Sequence, residues 1–428
     1  MTMNRKTAAD SEQVIDALAA IVGATHVSSA PADVESYGGL EPFVVVWPGS
    51  HTEVARVLKV CTDNWVAAGT AGYGARARSH WPVSDGRLRV ALDTRRMTNI
   101  LNLDEVALTV QCQCGIQVHH LEEALRRQGL TMGPFPVETQ VSTLGGLLSA
   151  PSPTAHSPRA GWFEEACLAM SIAHPDGTLV HTRVAPRKAV GPDFSRFFIG
   201  SRGGLGVITT ATLRVQRLPE SEQVIASGLP DLDTAVTLAR QALVQGVRPA
   251  RLRVLGPSHV AEELGEGVTT SGAAVIMVLN GPRALIEVEE RLLSKLTRAA
   301  GGEELHEAVG QRWWAQASAW KDSHMSRIPR AGARVRYSQF AQVAASLPAE
   351  VMGEPLQVWC EEATLQGVTL WVGSKAKDES ARAVLRSLLL DAGLDPIRFD
   401  FPPLMDELRR QLDPEETMVI MEGEWSGS

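Results

Sequence analysis

Three short stretches carry residue types suited to holding a large anionic cofactor by main-chain contacts. Gly69-Thr70-Ala71-Gly72-Tyr73-Gly74 follows a run that reads as a strand. Glycine lets the backbone approach a ligand closely and take positive φ, so such a loop can turn several N–H groups toward a pyrophosphate. Its spacing matches neither the dinucleotide fingerprint nor the P-loop, and taken alone it reads more readily as a tight turn. Ser142-Thr143-Leu144-Gly145-Gly146 pairs two glycines with a hydroxyl at Thr143. Gly200-Ser201-Arg202-Gly203-Gly204-Leu205-Gly206-Val207-Ile208-Thr209 is the third and leads into a strand. Three such loops in one stretch of chain predict a cofactor held mainly by backbone groups.

The C-terminal half offers other chemistry. Its histidines are His259, His306 and His324. His324 precedes a strand that carries Arg327, Arg330, Arg334 and Arg336. Arginines so placed form either a solvated strand face or a clamp for a carboxylate or phosphate. Trp313, Trp314 and Trp320 have apolar helical spacing and are expected in a core or interface. His119 and His120 are adjacent on a helix and diverge by roughly 100°, which suits them poorly as joint ligands. The five cysteines are scattered, so no disulfide framework or iron–sulfur motif is expected. Cys112 and Cys114 alternate along a strand and share a side with Val110, as small buried groups do.

The elements that must position these residues follow from periodicity. Val14, Leu18, Ile21 and Val22 mark a helix between Ser11 and Gly23. Pro42–Trp47, a helix opened by a Ser50–Glu53 capping box, and Trp65–Ala68 form a βαβ unit. Strands are predicted at Leu88–Leu92, Ala107–Cys114 and Val207–Val215, a helix at Val118–Gln128, and a hairpin around Pro175-Asp176-Gly177. Thr131–Gly161 reads as one long loop. Beyond Pro219, strands at Arg251–Leu255, Ala273–Leu279, Arg327–Tyr337, Leu356–Glu361 and Val368–Val372 alternate with helices near Asp233–Gln245, Arg283–Ala299, Gln311–Trp320, Gln339–Ser346 and Asp378–Ala392. That pattern predicts an α+β unit whose antiparallel sheet is covered by helices on one face.

The 428 residues suffice for two or three domains. A net charge of −8 without a basic run argues against a nucleic-acid partner. No apolar stretch approaches the ~20 residues of a transmembrane segment. Met1–Asp10 lacks the apolar core of a signal peptide, so a cytoplasmic location is the expectation.

The order of the loops resembles the FAD-linked oxidases, a family that includes glycolate oxidase flavin subunits, D-lactate dehydrogenases and alkyldihydroxyacetonephosphate synthase. Pro42–Pro48 with Ser50–Glu53 is similar to the family's "VVxP-x-S-x-x-E". Leu92–Met97 is similar to "LDLSRM", and Gly133–Pro136 with Ser142–Gly146 to "P…STxGG". Gly191-Pro192-Asp193 through Ser201 and Leu205–Thr209 resemble "GPD…FxGSEGTLGVIT", and Leu412–Glu415 resembles "LDPEG". The resemblance implies an α+β fold. Residues 1–218 would form a PCMH-type FAD-binding domain of two subdomains, 219–400 a substrate cap, and 401–428 a tail returning to the FAD domain. It also implies noncovalent FAD, touched by Pro48, Gly69, Thr70, Ala71, Gly72, Tyr73, Gly74, Pro136, Thr143, Gly145, Gly146, Ser149, Gly161, Glu165, Gly206, Val207 and Ile208.

Departures accompany the matches. "GGGTS" is Gly69–Tyr73 with two glycines replaced, "A-S-G" is Ser152-Pro153-Thr154, "GxIxD" ends at Glu165, and "EGT" is Arg202-Gly203-Gly204. The cap strands that carry histidines in active relatives have none here. His80 stands near the place where some relatives attach flavin, at a looser spacing. By elimination His324, Arg327 and Arg334 are the expected catalytic residues. Three functions stay open. The first is an FAD-dependent oxidoreductase taking hydride from a small anionic hydroxylated substrate of the 2-hydroxy-acid type. The second is a flavin-poor structural or regulatory subunit, and the third an alkyldihydroxyacetonephosphate-synthase-like transferase. A small-molecule substrate, a partner subunit or electron acceptor, and a homo-oligomer are the partners to consider.

Overall fold

The computed structural model describes residues 11–37, 43–72, 86–133, 142–150, 156–185, 193–265, 268, 272–318, 330–361, 363–376, 380–397 and 403–419. Helix α1 (Ser11–Val22) buries Val14, Leu18 and Val22 and stops at Gly23, whose φ of 93° suits glycine. Strands β1 (Val27–Ser28) and β2 (Phe43–Val46), helix α2 (His51–Asp63), and strands β3 (Ala67–Ala71) and β4 (Arg89–Asp93) follow. The sheet order is β1–β2–β4–β3, with β2, β4 and β3 parallel. The expected βαβ unit is therefore present with β4 inserted between its strands. Ser50 caps α2 by accepting from the Glu53 N–H at 3.2 Å. Glu53 reaches back to the Gly49 N–H at 2.7 Å, one residue earlier than a standard capping box.

Strands β5 (Ile100–Asp104) and β6 (Thr109–Gln113), helices α3 (Val118–Arg126) and α4 (Leu144–Ser149), and strands β7 (His156–Ser157), β8 (Gly161–Trp162), β9 (Cys167–Ala173), β10 (Leu179–His181) and β11 (Val207–Arg214) come next. A second sheet runs β10–β9–β11–β6–β5, antiparallel throughout. Val110, Cys112 and Cys114 lie in its core, where burial pushes the Cys112 thiol up to about 12. The stretch expected as one loop contains α4 and the paired β7–β8. Two glycines weaken α4 as a helix. Its Thr143 cap and its buried Leu144, Leu147 and Leu148 compensate.

The remaining elements are β12 (Ser221–Leu229), α5 (Leu232–Val244), β13 (Arg251–Leu255), α6 (Pro257–Leu264), β14 (Ala273–Gly281), α7 (Arg283–Ala299), β15 (Glu303–Glu304), α8 (Glu307–Ser318), β16 (Arg330–Arg336), α9 (Tyr337–Ser346), β17 (Gln357–Glu361), β18 (Gly367–Gly373), α10 (Ala381–Asp391) and α11 (Pro403–Leu412). They build an antiparallel seven-stranded sheet ordered β15–β12–β14–β13–β17–β18–β16. One face packs on α5, α7, α9 and α10. The expectation of helices on one face alone is corrected, since α6 and α8 cover part of the other. Leu255, Ile276, Trp359 and Trp371 make that second face apolar enough to need cover.

An ionic knot fastens α6 and α8 there. Glu263 takes Arg253 at 2.6 Å, His259 at 2.8 Å and the Trp313 indole N–H at 2.7 Å. Burial opposes its charge, yet Arg253 and His259 outweigh burial and hold the carboxyl down to about 2. After α11 the chain returns to the first sheet. The Ala68 N–H donates to Thr417 O at 2.6 Å and the Val419 N–H to Ala68 O at 2.8 Å. Buried Asp413 fixes that return by accepting from the N–H groups of Thr417 and Met418 at 2.8 and 2.6 Å. Among the described residues no helix is long and apolar enough to cross a membrane.

Two outcomes are expected. Glu263→Gln destabilises the fold by about 1–3 kcal/mol in urea titrations, because it removes the buried charge that Arg253 and His259 share and leaves Arg253 with Glu361 alone. Its pH dependence also flattens. In the unsubstituted protein a carboxyl held below its unfolded value stabilises fully above pH 4.5, and that contribution fades as pH falls toward 2. Asp413→Ala costs about 1–3 kcal/mol and speeds hydrogen exchange at Ala68, read by mass spectrometry.

Candidate functional site

The glycine loops converge where the first two sheets meet. A Cβ on Gly72 would lie 2.4 Å from Thr143 Oγ1, and one on Gly203 would lie 2.6 Å from Thr70 Oγ1. The loop at 200–206 is tied to α4 through Gly200 N–H to Leu148 O at 3.1 Å and Arg202 N–H to Ser149 O at 2.8 Å. Gly145 donates to Cys114 O at 2.8 Å, and Cys114 donates to Thr209 O at 2.9 Å. Thr70, Gly72, Thr143, Gly145, Gly146, Ser149 and Ile208 are thus brought to one locus. Val207 opens β11 beside them. Gly206, at φ 138°, passes so close to Ala173 O that a Cβ would sit 2.6 Å from it.

Other expected residues stand differently. Gly69 and Ala71 are ladder residues of β3, paired with Ala91 and Asp93. Pro48 is buried just past β2. Gly161 opens β8, and Glu165 lies in the turn after it, where its carboxylate takes the Trp162 N–H at 3.3 Å. Tyr73, Gly74, Pro136, His80, Trp320, His324 and Arg327 lie outside the described residues.

The locus suits a flat anionic cofactor. Among the described residues outside its own helix, a Cβ built on Gly146 meets only the Thr143 hydroxyl, at 3.0 Å. Gly115 presses so closely on the end of β4 that a Cβ would fall 1.8 Å from Thr94 O, which fixes the two sheets relative to one another. Next to that seam, buried Asp93 accepts from Tyr37 Oη at 2.5 Å and from Arg95 Nε at 2.8 Å. Desolvation and the Asp93 charge both push the Tyr37 phenol upward, so it stays protonated.

The seven-stranded sheet contributes a polar row. Registers pair Leu255 with Trp359, Glu361 with Thr369, and Thr369 with Arg334. Arg253, Glu361, Thr369 and Arg334 therefore stand side by side on four adjacent strands, on the face away from α5, α7, α9 and α10. Arg253 reaches Glu361 Oε1 at 3.1 Å. Arg334 is exposed, and its guanidinium lies 5.1 Å from the Trp162 ring centroid of β8. Arg334 was expected near a substrate. Glu361 stood at the end of its strand in the sequence and was set aside because an imidazole was sought. A separate cavity of about 800 Å³ opens between α3, the Gln216–Glu220 segment and β14, lined by Glu122, Arg126, Arg217, Glu222 and Trp314. It touches neither the convergent loops nor the polar row.

Comparison with known proteins accords with this geometry. A model described as "FAD binding domain" matches residues 42–183. An alkyldihydroxyacetonephosphate synthase of Dictyostelium discoideum is 32 % identical over 219 residues, covering 51 % of this chain and 36 % of that one. The glycolate oxidase subunit GlcD of Bacillus subtilis is 26 % identical over 260 residues, covering 60 % and 54 %. The chain thus spans about half or less of the length of these relatives. A solved alkyldihydroxyacetonephosphate synthase superposes with a TM-score of 0.79 at 18 % identity, covering 99 % of this chain and 86 % of that chain, which shows a shared fold. Residues 42–183 thus match an FAD-binding domain, which supports FAD as cofactor, and the relatives that the chain resembles are FAD-linked oxidases.

Proposed function

We propose that the chain is an FAD-dependent oxidoreductase acting on a small anionic hydroxylated substrate of the 2-hydroxy-acid type. The convergence of Gly72, Thr143–Gly146 and Gly203 on one locus carries this reading. In it, residues 1–218 hold FAD noncovalently, residues 219–400 form the substrate cap, and 401–428 return to the FAD half. Bound FAD supplies a two-electron acceptor for a C–H bond of the substrate. The chain's own residues bind and orient: the glycine surface at Gly146 receives the cofactor, and Arg334 pairs with the substrate carboxylate. The name of the Bacillus relative, a glycolate oxidase subunit, favours a hydroxy acid.

A second reading, a flavin-poor structural subunit, is favoured by Thr70. Its side chain occupies a position that is glycine in the family's motif and leans on Gly203. The transferase reading rests on the likeness to alkyldihydroxyacetonephosphate synthases alone.

Purified protein is expected to show the visible absorbance of oxidised flavin, released by denaturation. Colourless protein that takes up no FAD on titration would promote the subunit reading. Gly146→Trp is expected to fold, by circular dichroism, and to lose FAD uptake, because an indole would stand where the glycine lets the backbone approach the cofactor. Arg334→Ala is expected to weaken binding of an anionic substrate about 10–100-fold, the scale of one charge-assisted hydrogen bond, measured as a rise in the substrate concentration needed for half-maximal flavin bleaching.

A further inference from the structure

The two carboxylates around Arg253 are unequal. Glu263 is saturated, with Arg253, His259 and Trp313 all donating to it. Glu361 uses only Oε1, on Arg253. Its Oε2 is buried and has no hydrogen-bond partner among the described residues, on a side chain only 6 % exposed. Were Glu361 merely the third member of a structural ion cluster, its second oxygen would be saturated as those of Glu263 are. A buried acceptor left unmade costs stability, and a charged one costs more.

The surroundings are fixed and equally unsatisfied. Trp359 and Trp371 face each other across β17 and β18, stacked with centroids 6.2 Å apart, and His259 stacks on Trp359 at 4.8 Å. Trp371 lies so tightly over β16 that a Cβ on Gly332 would be 2.7 Å from its ring. Both indole N–H groups are buried without an acceptor among the described residues. Among the described residues this face thus presents unused acceptors at Glu361 Oε2 and Gln357 Oε1 and unused donors at the two indoles. From buried Glu361 the row runs to exposed Arg334, beside Trp162 of β8.

We infer that Glu361 Oε2 receives the hydroxyl proton of the substrate, making Glu361 a catalytic residue in place of a cap histidine, with the Trp371 indole and Arg334 directing the substrate's anionic end. The inference rests on the oxidoreductase reading above and deepens it. The balance is simple. The substrate carbon gives its hydride to bound FAD, the hydroxyl proton goes to Glu361, and the carbon–oxygen bond becomes a carbonyl.

Two measurements test it. The first is calorimetric binding of D- and L-lactate against propionate, which lacks only the hydroxyl. The unsubstituted protein is expected to bind one lactate enantiomer about tenfold or more tightly than propionate, and Glu361→Leu to lose that preference. A preference that survives Glu361→Leu, or is absent from the unsubstituted protein, overturns the assignment. The second is flavin reduction by the preferred lactate in Glu361→Gln, which keeps an acceptor oxygen and the shape. Its rate is expected to fall about 100-fold or more while FAD content and the lactate preference are retained. An unchanged rate overturns the assignment even if Glu361→Leu fails to fold. The two readings fail separately. A flavin-free protein with a Glu361-dependent lactate preference sinks the oxidoreductase reading and keeps the site. A flavin-loaded protein without that preference does the reverse.

Discussion

The site depends on backbone segments approaching more closely than any side chain permits. Thr143 leans on Gly72, Thr70 leans on Gly203, and Gly115 lies against the carbonyl of Thr94. A Cβ at 1.8 Å from an oxygen cannot be relieved by a rotamer change, so the glycine at 115 is a condition of the two sheets meeting at all. Once they meet, α4, the loop at 200–206 and the start of β11 are locked by main-chain hydrogen bonds whose geometry leaves little play. The replacements in the first glycine loop fit this picture. Thr70 fills space that the partner loop leaves empty by placing Gly203 opposite.

The third sheet divides its labour between faces. One is a broad apolar surface under four helices, which supplies most of the burial and so most of the stability. The other mixes tryptophans with Arg253, His259, Glu263 and Glu361. Antiparallel register sets polar and charged groups in a line, one from each strand, and brings Arg253 beside Glu361 across more than 100 residues of chain.

Much of this was legible in the chain. Helix α7 runs from Arg283 to Ala299 and β13 from Arg251 to Leu255, as their periodicity predicts, because each carries a clean apolar pattern. Strand β12 was missed since it begins Ser-Glu-Gln and shows apolar residues only from Val224. Helix α4 was missed because two of its six residues are glycine. The cofactor loops announced themselves by composition, which is local. The contacts that make them a site, Thr143 with Gly72 and Thr70 with Gly203, are non-local and have no signature in either segment alone. Glu361 illustrates the same limit. Its partner Arg253 lies on the neighbouring strand of the sheet but about a hundred residues away in the chain, and only the register aligns them.

The pairing of Thr417–Val419 with Ala68 has a consequence for biosynthesis. The outer edge of β3, which runs directly into the first glycine loop, receives its last hydrogen bonds from residues made some 350 positions later; Thr62 and Thr417, which touch at 3.0 Å, are 355 apart. At ribosomal rates of roughly 5–20 residues per second, that edge waits roughly 20–70 s on the nascent chain with its N–H and C=O groups unmated. Such a strand is a template for pairing with another chain. The half that emerges first is thus the half that finishes last, and chaperone demand during synthesis should concentrate on it rather than on the later, self-contained seven-stranded sheet.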